Sequence, residues 1–287
     1  MKAFSNGIRL LAVTGTIGIC AAAQDSVPPV YPNHVVIYVS AETYDALRAS
    51  PMIRNQFSDS REATIHTEGG SINYTGLYLS GMNTYLEIFA TGLSELSYKV
   101  EPPGRVFFGM WIDHRTQLPA IHERLPMVET GTIRDAQNQP MYDYIGDDPA
   151  KTEGVNSFVF GLYPDGTVRS AASRIYRSPP YRQDRFLHDI VACTVIVGTA
   201  ERDTLIRNFQ AYGYAIRHDG QHIVASGPEF TLTILPIKPG ERRSASIEMT
   251  LNHKNSGNES YRMGDSELRF QGRRATLSLT FPQINSK

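Results

Sequence analysis

Cysteine is almost absent from this chain, which holds only Cys20 and Cys193 among its 287 residues. Cys20 falls inside an N-terminal segment that we expect to be removed on export, so a single thiol would remain and no internal disulfide could form. Cys193 lies in an apolar run, residues 190–197, where no visible base would lower its pKa. The sequence therefore predicts a buried, unreactive thiol and a core that is stabilised by packing alone.

An excess of charge of one sign is also lacking. The 28 Lys and Arg residues nearly balance the 29 Asp and Glu residues, for a formal net charge of −1, which gives no reason to expect nucleic acid as a partner. Beyond the N-terminus no apolar run is long enough to span a membrane, so we expect no transmembrane anchor in the mature protein. With 41% hydrophobic and 20% charged residues, the composition is that of an ordinary globular protein.

Several catalytic signatures are missing as well. The chain contains no serine-hydrolase elbow, P-loop, HExxH motif or dinucleotide-binding fingerprint. Their absence narrows the classes of enzyme that the sequence indicates, and it leaves open whether the protein is an enzyme.

The first 23 residues predict an export signal. Lys2 and Arg9 supply positive charge, residues 8–23 are mostly apolar or small, and residues 21–23 are three alanines that suit a signal peptidase. A short membrane anchor is the alternative, but the apolar run is below the roughly 20 residues that a span requires. We therefore predict a mature N-terminus at Gln24 and a periplasmic or secreted location.

One supersecondary unit, a strand followed by a helix and three more strands, recurs along the chain. In the first unit the pattern predicts a helix from Ala41 with Ser40 as its N-cap, and strands at 34–39, 63–67, 74–79 and 84–89. The second unit has a predicted helix at 114–124, strands at 105–112, 127–133, 157–163 and 168–176, and a polar excursion at 135–156. The third has a strand at 189–197, a helix at 201–212, and strands at 222–226, 230–237, 245–251, 267–270 and 275–281.

This repetition predicts an α+β protein of tandem βαβββ modules. We expect a signal peptide at 1–23 and an N-terminal domain of two modules at 24–177. A Pro-containing linker at 178–188 would lead to a more divergent βαβββ-like domain at 189–287.

Two strand-like segments of the first module each carry one titratable side chain inside an apolar run, His34 in Asn33–Val39 and Glu87 in Thr84–Phe89. A buried His or Glu is costly unless something pairs with it, so the two residues indicate a site if their strands lie side by side. Alternatively, the two side chains only bond to each other across neighbouring strands, as a core pair without chemistry.

Three aromatic residues join His34 and Glu87 as candidate ligand-binding residues. Tyr78 and Tyr85 are expected on one face of the sheet, where they could line a cavity, and Trp111 lies in the first predicted strand of the second module. Tyrosines are common in any half-buried sheet, so a purely structural role is the alternative.

The first-strand His, the following helix and the fourth-strand sequence Tyr-Leu-Glu-Ile-Phe resemble the vicinal oxygen chelate superfamily, which includes glyoxalase I, extradiol dioxygenases and bleomycin-resistance proteins. The stretch from Asn33 to Phe89 also resembles an uncharacterised bacterial family with this fold. The resemblance implies modules that curl into half-barrel sheets with helices on the outer face. It also implies metal ligands on the first and last strands of a module, which are His34 and Glu87 in this chain.

The resemblance thus implies either no cofactor or a single divalent metal, Fe, Mn, Ni, Co or Zn. The second module departs from the pattern, because the corresponding strands offer aromatic and small residues where a His and an acid are expected. Catalytic sites usually supply three protein ligands, so either a third comes from an unexpected place, such as His66, His114 or His122, or the site is metal-free.

Three hypotheses about function follow. The first is an exported protein that binds a small molecule on the curled sheet of its first domain, with His34 and Glu87 as polar anchors. The second is a metal-dependent lyase, isomerase or dioxygenase of glyoxalase type. The third is a non-catalytic partner of another envelope protein.

Overall fold

A computed structural model describes residues 28–66, 73–91, 103–134, 137–146, 154–162 and 181–281. The predicted export signal and the predicted strand at 168–176 lie outside these residues. Within the described ranges the chain forms two mixed sheets and a few short helices, so the predicted α+β class is confirmed. No helix of the described part is long and apolar enough to cross a membrane.

The first sheet has eight strands and is built from two modules. Its strands are β1 (Tyr31–Val39), β2 (Ser60–His66), β3 (Asn73–Ser80), β4 (Tyr85–Ala90), β5 (Val106–Trp111), β6 (Glu129–Arg134), β7 (Pro140–Gly146) and β8 (Val155–Leu162), in the order β2-β3-β4-β1-β5-β8-β7-β6. In each module the first and last strands are parallel neighbours, β1 with β4 and β5 with β8. Antiparallel pairing of β1 with β5 joins the modules, as the predicted βαβββ repeat requires.

The second sheet has seven strands. They are β9 (Leu187–Val197), β10 (Ala215–Asp219), β11 (His222–Gly227), β12 (Phe230–Pro236), β13 (Ser244–Asn255), β14 (Ser260–Met263) and β15 (Ser266–Thr280), in the order β10-β11-β12-β9-β13-β15-β14. Strands β9 to β12 repeat the module, with β9 and β12 parallel. Strands β13 to β15 are antiparallel and have no helix among them.

The helices connect the first strand of each complete module to the second. They are α1 (Ala41–Ala49), α2 (Leu118–His122) and α3 (Thr199–Ala211), with a π-helical turn at Ile53–Phe57 and a 3-10 turn at Arg115–Gln117. The Ser40 hydroxyl accepts a hydrogen bond from the backbone N–H of Thr43 at 3.2 Å, which confirms the predicted N-cap of α1.

Besides the edge strands β10 and β14, which the sequence analysis did not predict, two further elements differ from the sequence prediction. The predicted excursion at 135–156 contains strand β7, whose Asp143 and terminal Pro140 and Gly146 gave it the composition of a turn. Pairing on both sides, with β6 and β8, holds this polar segment in the sheet. The two C-terminal strands are one strand, β15, because Gly272 adopts a φ of 62° and lets the chain continue past an irregularity in its pairing.

The helix-bearing faces of the two sheets share one hydrophobic core. Phe108 of β5 lies 5.9 Å from Phe209 of α3 and 6.0 Å from Phe230 of β12, measured between ring centroids. Buried polar contacts link the sheets too: Asp189 of β9 accepts a hydrogen bond from the backbone N–H of Thr84 at 2.9 Å. This core is continuous across both sheets, so it does not mark a boundary between domains. The domain boundaries proposed from the sequence stay a prediction.

Candidate functional site

The face of the first sheet opposite the helices carries the candidate residues, and we call it the concave face. Side chains alternate along each strand, so Val35, Ile37 and Val39 of β1 enter the shared core. His34 and Tyr38 then point to the concave face. The register of β1 with β4 places Tyr85 opposite His34 and Glu87 opposite Val36.

His34 is held by contacts on several sides. Asn33, next to an irregularity in the β1–β5 register, places its Oδ1 atom 2.7 Å from Nδ1 of His34. Because an amide oxygen only accepts hydrogen bonds, Nδ1 of His34 is the donor in this contact. Below the ring lies Gly109 of β5, at which even one added methyl group would overlap His34.

Aromatic rings enclose the imidazole of His34. It stacks on Tyr85 with ring centroids 4.9 Å apart, and lies 5.6 Å from Phe158 and 5.9 Å from Phe160 of β8. Tyr85 belongs to one aromatic cluster of the concave face, while Phe158 and Phe160 belong to a second. His34 therefore joins the two clusters.

Glu87 is a buried carboxyl group in an aromatic setting, with a relative exposure of only 4%. Its cross-strand neighbour on β3 is Tyr78, which is fully buried. Tyr85 and Phe89 precede and follow it on the same face of β4. A carboxyl group this far from water must interact with other polar groups, which makes it a candidate for ligand contact.

Trp111 lies in the second aromatic cluster, together with Phe160 and Leu162. Its side chain is 1% exposed, and its indole Nε1 has no hydrogen-bond acceptor within the described residues. An unsatisfied buried donor is unusual in a native protein.

The structure thus places all five candidate ligand-binding residues on the concave face, although their role in binding stays a prediction. They are His34, Tyr78, Tyr85, Glu87 and Trp111.

Two proposed third ligands lie elsewhere. His114 is exposed beside the 3-10 turn, and His122 lines a cleft of about 370 Å³ between α2, β6 and β7 on the helix-bearing side. The side chain of His66 lies outside the described residues.

The residues that the structure describes do not complete a metal centre. In the described ranges no three His, Cys, Asp or Glu side chains converge, and His34 and Glu87 are the two candidate donors. The concave positions of β5 and β8 hold aromatic rings, Gly109, Leu162 and the amide of Asn156, and none holds a His or an acid. The fold is compatible with a divalent ion, but this donor set falls short of the three protein ligands of a usual catalytic site.

Sequence reasoning missed several residues of the concave face. These are Asn33, Phe89, Phe107, Gly109, Phe158 and Phe160. The alternation of large residues in β5 and β8 marks this face. The contact of these rings with His34, however, depends on which strands are neighbours.

Comparisons with known proteins agree with this geometry at the level of fold. A family model described as "Family of unknown function (DUF5829)" matches residues 32–146, which is less than half of the chain. A comparison with curated protein sequences found no significant match. Among solved structures, a hypothetical protein from Staphylococcus aureus has a TM-score of 0.51 at 10% identity, over 84% of this chain and 98% of that chain.

Two dioxygenases are similar at lower scores. The 2,2',3-trihydroxybiphenyl 1,2-dioxygenase from Sphingomonas wittichii strain RW1 has a TM-score of 0.42 at 11% identity, over 91% of this chain and 94% of that chain. A catechol 2,3-dioxygenase has a TM-score of 0.42 at 10% identity, over 89% of each chain. These scores are too low to support an argument about chemistry. The paired βαβββ modules nevertheless confirm the architecture that the resemblance to the vicinal oxygen chelate superfamily implies, which is a statement about the fold alone.

Proposed function

We propose that this is an exported protein that binds a small molecule on the concave face of its first sheet. The observation that carries the proposal is the continuous aromatic lining around two buried titratable side chains, His34 and Glu87. Small-molecule sites are mostly apolar and contain a few polar groups that fix the orientation of the ligand. The concave face has this composition.

Rigid rings make this face suited to planar ligands. Tyr38 and Phe89 lie 5.4 Å apart, and Phe158 and Phe160 lie 5.7 Å apart, measured between centroids. Offset and tilted aromatic contacts of this kind contribute about 0.5–1.5 kcal/mol each beyond the area they bury. A planar ligand would extend the same set of contacts.

Fluorescence gives a direct test, because Trp111 is the single tryptophan of the chain. We expect titration of the mature protein, from Gln24 onward, with a panel of planar aromatic compounds to change the emission of Trp111 in a saturable way. No saturable change, together with no shift in melting temperature for any compound, would contradict the proposal.

A matched pair of variants assigns the binding to the concave face. Glu87→Gln should weaken binding about tenfold, the loss expected for one hydrogen bond to a charged or polar partner. Glu248→Gln is the control, because Glu248 lies on the second sheet, is 42% exposed and pairs with Arg274 at 3.5 Å. Equal affinities in the two variants would place the ligand elsewhere.

The metal-dependent alternative rests on the same two residues. Elemental analysis of the mature protein and of His34→Ala, before and after reconstitution, separates the two hypotheses. Stoichiometric Fe, Mn, Ni, Co or Zn that is lost in the variant would favour a glyoxalase-type enzyme. For the envelope-partner hypothesis, no feature of the described residues gives specific support.

A further inference from the structure

Among the described residues of the concave face, the indole N–H of Trp111 is a buried polar group without a hydrogen-bond acceptor. Trp111 is 1% exposed, and no described residue accepts a hydrogen bond from Nε1. Burial without a partner is costly, since water would otherwise satisfy the donor. The group therefore needs an explanation beyond packing.

The surroundings of Trp111 indicate what could satisfy it. The side chains that cluster with it are apolar or aromatic: Phe160, Leu162 and, partly buried, Tyr31, Tyr142, Tyr144 and Phe158. The indole is a donor only, so its missing partner must be an acceptor. Since the neighbouring surface consists of rings, the rest of that partner is expected to be flat and apolar.

We propose that the ligand is a planar aromatic compound that carries a carbonyl or similar acceptor oxygen, which accepts the hydrogen bond of Trp111 Nε1. This inference rests on the proposed function, and it adds the class of ligand and its orientation. The ring lies against the cluster of Phe158 and Phe160, and its oxygen points toward the end of β5, where Trp111 is the last residue.

A pair of probes with the same shape tests the hydrogen bond apart from the apolar contact. 2-Acetylnaphthalene and 2-isopropenylnaphthalene differ in that a carbonyl oxygen replaces a methylene group. We expect equilibrium dialysis to show that the mature protein binds the ketone about tenfold more tightly, as befits one hydrogen bond to a donor that is already desolvated. In Trp111→Phe this preference should disappear, while the affinity for the alkene stays within about threefold.

Each outcome decides between the two claims. Equal binding of the two probes by the wild type, or a preference for the ketone that persists in Trp111→Phe, would overturn the inference and leave the proposed function intact. If neither probe binds up to its solubility limit, both claims fail for planar aromatic compounds.

A second measurement avoids dependence on the variant. Because the chain has one tryptophan, its ¹H–¹⁵N spectrum contains one indole cross-peak. The ketone should move this peak downfield, as a new hydrogen bond does, and the alkene should move it much less. Identical shifts with the two probes would contradict the proposed hydrogen bond even if Trp111→Phe failed to fold.

Discussion

The two sheets repeat one module, yet their faces opposite the described helices, which we call the helix-free faces, differ in chemistry. On the first sheet this face is aromatic and buried, with Tyr78 and Trp111 almost inaccessible to solvent. On the second sheet the same face is rich in hydroxyl groups and half-exposed. Its central row crosses four neighbouring strands with Thr233, Thr194, Ser246 and Ser278.

The helix-bearing faces of the two sheets do not show this difference. Both are apolar, because Ile37 of β1 and Val195 of β9 enter the same core. Of the two faces opposite the described helices, only that of the first sheet is aromatic and buried, which favours the first sheet as the place of the candidate site.

The largest expected effect is on stability. It compares the shared core with the helix-free face of the second sheet, which we call the hydroxyl face. Phe209 is fully buried and lies 5.9 Å from Phe108 and 5.0 Å from Tyr214, so Phe209→Ala leaves a cavity between the sheets. We expect a loss of about 3–5 kcal/mol in the free energy of unfolding, measured with urea. Thr194→Ala, on the hydroxyl face, is the control and should cost less than about 1 kcal/mol. Similar losses in the two variants would show that the hydroxyl face also packs against something.

A smaller effect contrasts the helix-free faces themselves. A methyl group at Gly109 would meet the ring of His34, so Gly109→Ala must displace that ring or the strand beneath it. Overpacking of this kind should cost about 1–3 kcal/mol in the free energy of unfolding and should also weaken ligand binding. Ala192→Val enlarges a half-exposed residue on the hydroxyl face and should change stability by less than about 0.5 kcal/mol. If Gly109→Ala is as mild, the close contact of His34 with β5 is wrong.

The smallest expected effect is on the reactivity of a thiol. It compares the core face of strand β9 with its hydroxyl face. Cys193 is buried on the core face, and burial raises the pKa of its thiol well above its usual value. The thiol therefore stays protonated at pH 8 and should react with iodoacetamide far more slowly in the native protein than in urea. Thr194→Cys in a Cys193→Ser background should be labelled rapidly in the native state. Fast labelling of native Cys193 would contradict the assignment of the two faces.

Much of the fold could be predicted from local patterns. The N-cap at Ser40 depends on contacts within one helical turn, and the burial of His34 and Glu87 follows from apolar neighbours on their own strands. Strand β7 could not be predicted in this way, because its polar sequence is typical of a turn and it is a strand only through pairing with β6 and β8. The edge strands β10 and β14 were missed for a similar reason.

For the candidate site, too, local patterns identified the residues but not their contacts. His34, Tyr78, Tyr85, Glu87 and Trp111 could be named from the sequence because each is a conspicuous side chain in a strand-like segment. Their partners could not. The stacking of His34 on Tyr85 needs the register of β1 with β4, and its contacts with Phe158 and Phe160 need β8 to lie two strands away, beyond β5.

The sequence by itself determined the module, its repetition and the identity of the unusual residues in apolar strands, because these depend on neighbours a few positions away. Only the tertiary structure decided what those residues touch. Gly109 lies beneath His34 because β1 and β5 pair across two modules. The side chains that surround the Trp111 indole come from other strands, and none of the described residues accepts its hydrogen bond. Strand order and register arise from packing between segments that are distant in the sequence, and local sequence patterns carry no information about that packing.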